Sequence, residues 1–214
     1  YFRDTVDFDP GAGTTNLTAS VIVSAGTVIT GPDVFVSKLD SSGNYVWAKS
    51  FGGIGKDHGY SVAVDSSGNV YITGRFSGHA NENYIVDLDP GSGTTNVTEN
   101  GNGDVFVSKL DSSGDLVWAK SFGGSGSDYG YSVAVDSSGN VYTAGYFNDT
   151  VDFDPGAGTT NLTANGSSDV FVSKLDSSGN YVWAKSFGST GNDYGESVAV
   201  DSSGNVYTAG YFND

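Results

Sequence analysis

Residues 169–188 read Asp-Val-Phe-Val-Ser-Lys-Leu-Asp-Ser-Ser-Gly-Asn-Tyr-Val-Trp-Ala-Lys-Ser-Phe-Gly, and residues 197–207 continue with Ser-Val-Ala-Val-Asp-Ser-Ser-Gly-Asn-Val-Tyr. The same text occurs earlier in the chain: 104–149 and 169–214 differ at six of 46 aligned positions, and a more divergent copy begins at Asp33. Such self-similarity is typical of repeat architectures, in which one unit is stacked on its neighbours. We therefore predict a single repeat domain over 1–214, with units of approximately 1–76, 77–147 and 148–212.

Each unit predicts two β-hairpins. Asp-Ser-Ser-Gly followed by Asn or Asp occurs six times, each time between alternating apolar segments. Asp at the first turn position can accept backbone N–H groups, and Gly at the fourth can adopt the left-handed conformation. The turns of the middle copy predict pairing of Asp104–Leu110 with Leu116–Phe122 and of Tyr131–Val135 with Val141–Phe147. Both faces of these strands are largely apolar, as a small sheet packed between two neighbours requires.

The two stretches at 169–188 and 197–207 resemble the bacterial β-propeller repeat called SBBP. The resemblance extends over nearly the whole chain, and it implies an all-β propeller of four-stranded antiparallel blades in a secreted or surface-attached bacterial protein. It implies no catalytic residues, because the family carries no catalytic signature. This chain departs from the usual pattern in having three units, whereas propellers have about four to eight blades.

The phase of the repeat predicts one divided blade. Two blades are complete, at 60–122 and 131–187, and the third is split between 33–51 and 197–212. Three blades would close too tight a ring, so we expect the halves to meet between chains, two of which would give six blades by an isologous exchange. Neighbouring repeats of a longer array are an equally consistent partner. A threefold β-prism or trefoil-like closed fold is the alternative architecture.

Composition excludes several classes of function. The formal net charge of −16 argues against a nucleic-acid partner, whose phosphates need a basic surface. No apolar run approaches the roughly 18 residues of a membrane helix, so we expect no membrane insertion. The chain has no Cys, and its two His residues have no repeated Ser or Asp partner, so nucleophilic catalysis is not expected. The absence of Cys and Met suits an extracellular or bacterial cell-surface location.

A repeated acidic loop supplies one set of candidate calcium ligands. Asp152 and Asp154 lie two residues apart, so on a strand their carboxylates point the same way. A Pro-Gly-x-Gly turn with Thr and Asn oxygens follows, and calcium takes about six to eight such oxygens. Alternatively, the aspartates cap the hairpin while Val151 and Phe153 face inward. The equivalent candidates in the other units are Asp7, Asp9, Asp87 and Asp89.

A second acidic loop, Gly-Gly-Ser-Gly-Ser-Asp at 123–128, matches the first six positions of a calcium-binding nonapeptide repeat. That motif binds calcium between stacked turns, whereas the copies here lie 71 and 65 residues apart. A tight turn between blades is therefore the alternative interpretation. The candidate ligands of this loop are Asp57, Asp128 and Asp193.

Other features remain open in the sequence. Trp47, Trp118 and Trp183 recur in mid-strand, and we expect them to pack in the core, with a sugar-stacking platform as the alternative. His58 and His79 are expected in surface loops. The Val/Ile-rich insertion over residues 20–32 predicts an added strand or an oligomer contact.

Near-identical units favour scaffolding over catalysis, which needs only one asymmetric site. We therefore predict a non-enzymatic extracellular structural or adhesive β-propeller module. Its expected partners are further copies of the chain or neighbouring repeats. The alternative is a glycan-binding, lectin-like propeller with one site per repeat.

Overall fold

The computed structural model describes residues 1–24, 27–78 and 84–213, where the chain forms β-strands joined by turns. The strands are β1 (Thr5–Asp7), β2 (Asn16–Thr18), β3 (Val21–Ser24), β4 (Thr27–Thr30), β5 (Val34–Leu39), β6 (Tyr45–Phe51), β7 (Lys56–Val64), β8 (Val70–Ser77), β9 (Ile85–Asp87), β10 (Asn96–Thr98), β11 (Asp104–Leu110), β12 (Leu116–Phe122), β13 (Tyr129–Val135), β14 (Val141–Phe147), β15 (Thr150–Asp152), β16 (Asn161–Thr163), β17 (Asp169–Leu175), β18 (Tyr181–Phe187), β19 (Asp193–Val200) and β20 (Val206–Phe212). No helix in the three described ranges has the length and apolarity needed to cross a membrane. The predicted all-β class is confirmed.

Two four-stranded antiparallel sheets form the centre of the chain. The first sheet has the order β7–β8–β11–β12, and the second sheet has the order β13–β14–β17–β18. The predicted pairing of Asp104–Leu110 with Leu116–Phe122 occurs between β11 and β12. The hairpin predicted to start at Tyr131 starts two residues earlier, at Tyr129, because a bulge after Gly130 lets the strand continue where the alternating pattern breaks.

The Asp-Ser-Ser-Gly turns form as predicted. In the turn at 111–115, Asp111 Oδ1 accepts the N–H of Ser113 at 2.8 Å and the N–H of Asp115 at 3.0 Å. Gly114 has a φ of +84°, a left-handed conformation that other residues rarely adopt. The corresponding glycines, all with φ between 79° and 82°, are Gly43, Gly68, Gly139, Gly179 and Gly204.

The sheets pack face to face in chain order. The hairpin β5–β6, called here the leading hairpin, packs on the first sheet, where Phe51 meets Phe106 edge to face with ring centres 5.6 Å apart. Tyr71 of the first sheet and Val133 of the second share the next cluster. The hairpin β19–β20, called the trailing hairpin, packs on the second sheet through Val198. Each sheet is therefore a thin layer buried between two neighbours, as its two apolar faces predict.

The leading and trailing hairpins are separate two-stranded sheets within one chain. They contain the two halves, 33–51 and 197–212, of the predicted split blade, and their meeting between chains stays a prediction. The insertion over residues 20–32 contains β3 and β4, which pair with each other. The insertion thus adds a short hairpin of its own and extends neither four-stranded sheet.

Candidate functional site

The first acidic loops form hairpins that their own aspartates cap. Asp152 Oδ1 accepts the N–H of Asp154 at 3.0 Å and the N–H of Thr160 at 2.8 Å. Asp154 Oδ1 accepts the N–H of Gly156 at 2.8 Å. The turn fits tightly around this carboxylate, since a Cβ on Gly158 would lie 2.2 Å from Asp154 Oδ2. The same bonds are made by Asp7, Asp9, Asp87 and Asp89.

These contacts agree with the capping interpretation of the loops. Val151 and Phe153 are fully buried, so the base of the hairpin is anchored while its tip at 156–159 is exposed. The N–H groups of Thr15 and Asp9 lower the pKa of Asp7, which keeps it ionised and bonded to the backbone. Across 1–24, 27–78 and 84–213, no three His, Cys, Asp or Glu side chains lie close enough together to hold a metal ion. Calcium binding at these loops stays a prediction.

The second acidic loops lie at the junctions between units and are buried. Asp128 precedes β13, and its Oδ2 accepts the N–H of Gly124 at 2.8 Å, which closes the tight turn that was the alternative interpretation. The Asp128 N–H donates to the Gly103 carbonyl at 2.9 Å, directly before Asp104. Asp104 and Asp128 are both 0% exposed. The other junctions repeat this arrangement with Asp33 and Asp57 and with Asp169 and Asp193.

The carboxylates of each pair approach one another. A Cβ on Gly188 would lie 2.6 Å from Asp169 Oδ1 and 2.7 Å from Asp193 Oδ2, so these two oxygens are at most 5.3 Å apart. The sequence indicated the second aspartate of each pair and missed the first. A signal was present, because the same Asp opens all three copies of Asp-Val-Phe-Val-Ser-Lys-Leu.

One oxygen of the first aspartate in each pair is buried without a hydrogen-bond donor among the described residues. These atoms are Oδ1 of Asp33, Asp104 and Asp169. Desolvation, with a smaller effect of the neighbouring Asp128 charge, raises the pKa of Asp104 to about 7. Desolvation also raises the pKa of Asp128, to about 6. This junction therefore disfavours two negative charges at neutral pH.

The tryptophans connect one unit to the next. Trp118 Nε1 donates to the Ser177 carbonyl at 3.1 Å, and Trp47 Nε1 donates to the Ser112 carbonyl at 3.2 Å. Each acceptor belongs to the Asp-Ser-Ser-Gly turn of the following sheet. All three Trp rings also pack on the apolar clusters, as predicted. These contacts indicate a role in aligning neighbouring units.

Tyrosines of β7, β13, β14 and β19 form a continuous aromatic cluster. Tyr129 stacks on Tyr146 with ring centres 4.7 Å apart, and Tyr194 meets Tyr146 edge to face at 4.6 Å. Tyr131, the bulge residue of β13, lies 5.3 Å from Tyr60. Desolvation raises the pKa of Tyr60 to about 12, so its hydroxyl stays protonated at neutral pH. Sequence reasoning missed this cluster, because it depends on contacts between units.

His58 lies in strand β7 and not in the surface loop that the sequence predicted. The His58 ring stacks on Tyr1, with ring centres 4.0 Å apart, and Nδ1 lies 3.2 Å from the Tyr60 hydroxyl. Desolvation lowers the pKa of His58. His79 lies outside the described residues.

The leading and trailing hairpins each expose a strand edge whose equivalent is buried in the four-stranded sheets. Leu175 is 1% exposed in the second sheet, whereas the matching Leu39 of the leading hairpin is 47% exposed. Tyr142 is 1% exposed, and the matching Tyr207 of the trailing hairpin is 59% exposed. An open groove of about 500 Å³ lies between β5 and β7. Chemically identical side chains are thus buried in complete sheets and exposed in the two hairpins.

A family comparison agrees with this architecture. The family model of the SBBP β-propeller repeat matches residues 46–75, 117–148 and 182–211. The matches begin in β6, β12 and β18, so one falls on each unit. They favour the predicted propeller repeat over the β-prism or trefoil-like alternative.

Two curated proteins are similar to this chain over a small part of their own length. An uncharacterized WD repeat-containing protein, L264, of Acanthamoeba polyphaga mimivirus is 28% identical over 214 residues, which cover 89% of this chain and 15% of that protein. Regulatory protein FlaEY of Caulobacter vibrioides is 29% identical over 175 residues, which cover 80% of this chain and 17% of that protein. With three matched units and these two all-antiparallel four-stranded sheets, the chain contains three repeats of the SBBP β-propeller type.

Proposed function

We propose that this chain is a non-enzymatic protein-interaction module with a structural or adhesive role outside the cell. The observation that supports it is the threefold presentation of one small, rigid surface. The hairpin tips at 11–14, 91–94 and 156–159 are exposed, while aspartate caps hold the base of each hairpin. Weak contacts repeated on one rigid body add up to strong binding when the partner is also repeated.

The names of the two similar proteins are compatible with an interaction module. One is described as a WD repeat-containing protein and the other as a regulatory protein, and neither description states an enzymatic activity. A repeat scaffold that holds other macromolecules is consistent with both descriptions. The net charge of −16 favours partners with a basic or neutral surface.

Adhesion of coated beads to intact cells and capture of surface proteins would test the proposal. The informative variant carries Ala12→Arg, Ser92→Arg and Ala157→Arg, which change the three tips without touching the caps. The matched control adds the same charge to another exposed turn of each unit, with Ser42→Arg, Ser113→Arg and Ser178→Arg. We expect the tip variant to lose binding and the control to keep it. Equal binding by both variants would contradict the proposal, and surface labelling of intact cells would test the location.

The tyrosine cluster supports a second candidate function, glycan binding. Aromatic rings form platforms for the apolar faces of sugars, and Tyr60 and Tyr131 occupy the same bulge position in successive units. The third unit has Glu196 at this position, so its site would differ. A glycan array separates the two functions: binding that Tyr131→Ala removes would favour the lectin, and no binding on the array would favour the protein-interaction module.

A further inference from the structure

We propose that the face shared by the first and second sheets binds an acidic saccharide, with its carboxylate against Lys56 and Arg75 and its ring against neighbouring tyrosines. The proposal rests on the second candidate function, glycan binding, and specifies the class of sugar. It also restricts the site to one place, because the basic residues occur in one unit only. The site is called here the basic-aromatic cluster, and its members are Lys56, His58, Tyr60, Arg75, Tyr129 and Tyr131.

The first unit departs from the other two by placing basic residues at three equivalent positions. These residues are Lys56, His58 and Arg75. The equivalent residues carry no positive charge; they are Ser127, Tyr129 and Tyr146 in the second unit and Asn192, Tyr194 and Tyr211 in the third. The chain has nine Lys and Arg residues against 25 Asp and Glu residues, so this concentration of basic residues is a local exception to its negative charge.

The three basic residues lie on one face of the first sheet. His58 of β7 is paired with Arg75 of β8, so the two side chains leave the sheet on the same side. Lys56 precedes His58 by two residues and shares that side, whereas Asp57 between them is buried on the other. Desolvation lowers the pKa of His58, and the positive charges around the ring, among them Arg75 and Lys56, lower it further. Both charges therefore act on the same small area.

Tyrosine rings continue this face from the first sheet to the second. The guanidinium carbon of Arg75 lies 4.5 Å from the centre of the Tyr129 ring. Tyr60 stacks on Tyr129 with ring centres 6.2 Å apart and meets Tyr131 at 5.3 Å. Tyr60 belongs to β7 and Tyr131 to β13, so the cluster is built from both sheets. Its rings offer apolar faces to a sugar ring, and its hydroxyls offer hydrogen bonds to the sugar's edge.

Packing between units does not require the basic residues. Tyr146, at the position of Arg75, meets Tyr194 of the next unit with ring centres 4.6 Å apart, so a tyrosine makes the same kind of contact. Like charges directly opposite each other destabilise a β-sheet, and a protonated His58 faces Arg75 in this way. Within the described part of the chain, none of the three basic residues forms an ion pair. Their charges are therefore better explained by a ligand than by the fold.

Arg75 is held in place from its buried side. Its Nη2 donates to the Asn102 carbonyl, and its Nε is buried without an acceptor among the residues that the structure describes. Burial raises the pKa of Glu99 and of Asp128, and the charge of Arg75 acts on both in the opposite direction. Both carboxyls are buried, at 7% and 0% exposure, whereas Arg75 is partly exposed. A guanidinium fixed in this way is pre-organised to bind a carboxylate.

These groups together favour a short saccharide that carries carboxylates. A neutral sugar contacts the tyrosine rings alone, whereas an acidic sugar also forms charge-assisted hydrogen bonds with Arg75 and Lys56. The net charge of −16 repels a long polyanion as a whole, so a short probe is needed. Tetragalacturonate is such a probe, and its fully methyl-esterified form is the neutral control with the same sugar rings.

Titration calorimetry with the two probes tests the class of sugar. We expect tetragalacturonate to bind about tenfold more tightly than the methyl ester. Arg75→Gln should remove this difference, whereas Lys185→Gln, which changes the net charge equally at an exposed position of β18, should keep it. Equal affinity for both probes in the wild type would overturn the proposal and leave glycan binding standing. Binding of neither probe would also overturn it, and the glycan array then decides the candidate function separately.

An exchange of residues between units tests the location of the site. The variant with Lys56→Ser, His58→Tyr and Arg75→Tyr gives the first unit the three residues of the second, so it should fold, with a urea midpoint close to that of the wild type. We expect this variant to bind tetragalacturonate no more tightly than the methyl ester, while its affinity for the ester is unchanged. A folded variant that still prefers tetragalacturonate would place the site elsewhere and overturn the proposal.

Discussion

The buried pair of Asp104 and Asp128 predicts how stability changes with pH. A carboxyl with a raised pKa in the folded chain binds its proton more tightly there than in the unfolded chain. Its contribution to stability is therefore complete below the unfolded pKa and is lost as pH rises through the folded pKa. For Asp104 this window runs from 3.8 to about 7. At about 1.4 kcal/mol per pH unit, the contribution lost across the window is up to about 4 kcal/mol.

Asp104→Asn tests whether the contribution of Asp104 to stability falls as pH rises. The amide keeps the shape of the carboxyl and cannot ionise, so it removes the charge at this buried position. We expect the variant to be more stable than the wild type by about 2–4 kcal/mol at pH 8, with little difference at pH 4. Urea unfolding from pH 4 to pH 8, with a chelator present throughout, measures both differences.

Asp111→Asn is the control, because the stability contribution of Asp111 is expected to change with pH in the opposite direction. The N–H groups of Asp115 and Ser113 lower the pKa of Asp111, so its contribution is present above the unfolded pKa and is lost as pH falls. The control should therefore be less stable than the wild type at pH 8. If Asp104→Asn also loses stability at pH 8, then the Asp104 carboxylate is needed in its charged form, and the reasoning on the buried pair is wrong.

Three further predictions use the repeats as internal controls. Leu175→Ala should lower the free energy of unfolding by about 2–5 kcal/mol, whereas Leu39→Ala should cost under about 1 kcal/mol in dilute monomer; equal costs by urea unfolding would contradict the difference in burial. Trp118→Phe removes the bond to the following turn and should cost about 1 kcal/mol, and Trp183→Phe should cost less in dilute monomer; the reverse order would exclude the aligning role. Finally, melting temperature should be the same with calcium as with a chelator, because Asp152 Oδ1 already accepts two backbone N–H groups; a rise with calcium that Asp152→Asn abolishes would establish the metal site instead.

Local structure could be predicted wherever one turn determines it. The Asp-Ser-Ser-Gly turns place an acceptor and a left-handed glycine at fixed positions, and the flanking strands pair as expected, down to Leu110 opposite Leu116. The capped hairpin at Asp152 could also be predicted, since Val151 and Phe153 alternate with the aspartates. In each case, the residues that make the contact are close in the chain.

Features between units could not be predicted in the same way. The bulge after Gly130 shifts Tyr131 out of the alternating pattern and into contact with another unit, which periodicity does not reveal. Asp104 looked like an ordinary first residue of a strand, because its burial comes from the loop that ends at Asp128. The exposure of Leu39 depends on which strand lies beside it, and the text of all three copies is identical there.

The identical text of β5, β11 and β17 also bears on how the chain folds. The sequences of β11 and β17 are the same. They therefore do not distinguish pairing of β14 with β17, its native neighbour, from pairing with β11, which precedes it. The two connections differ in length by less than a factor of two, so chain entropy favours either choice by well under about 1 kcal/mol. Refolding from denaturant should therefore populate mispaired traps that vectorial synthesis avoids, and the yield should fall as concentration rises.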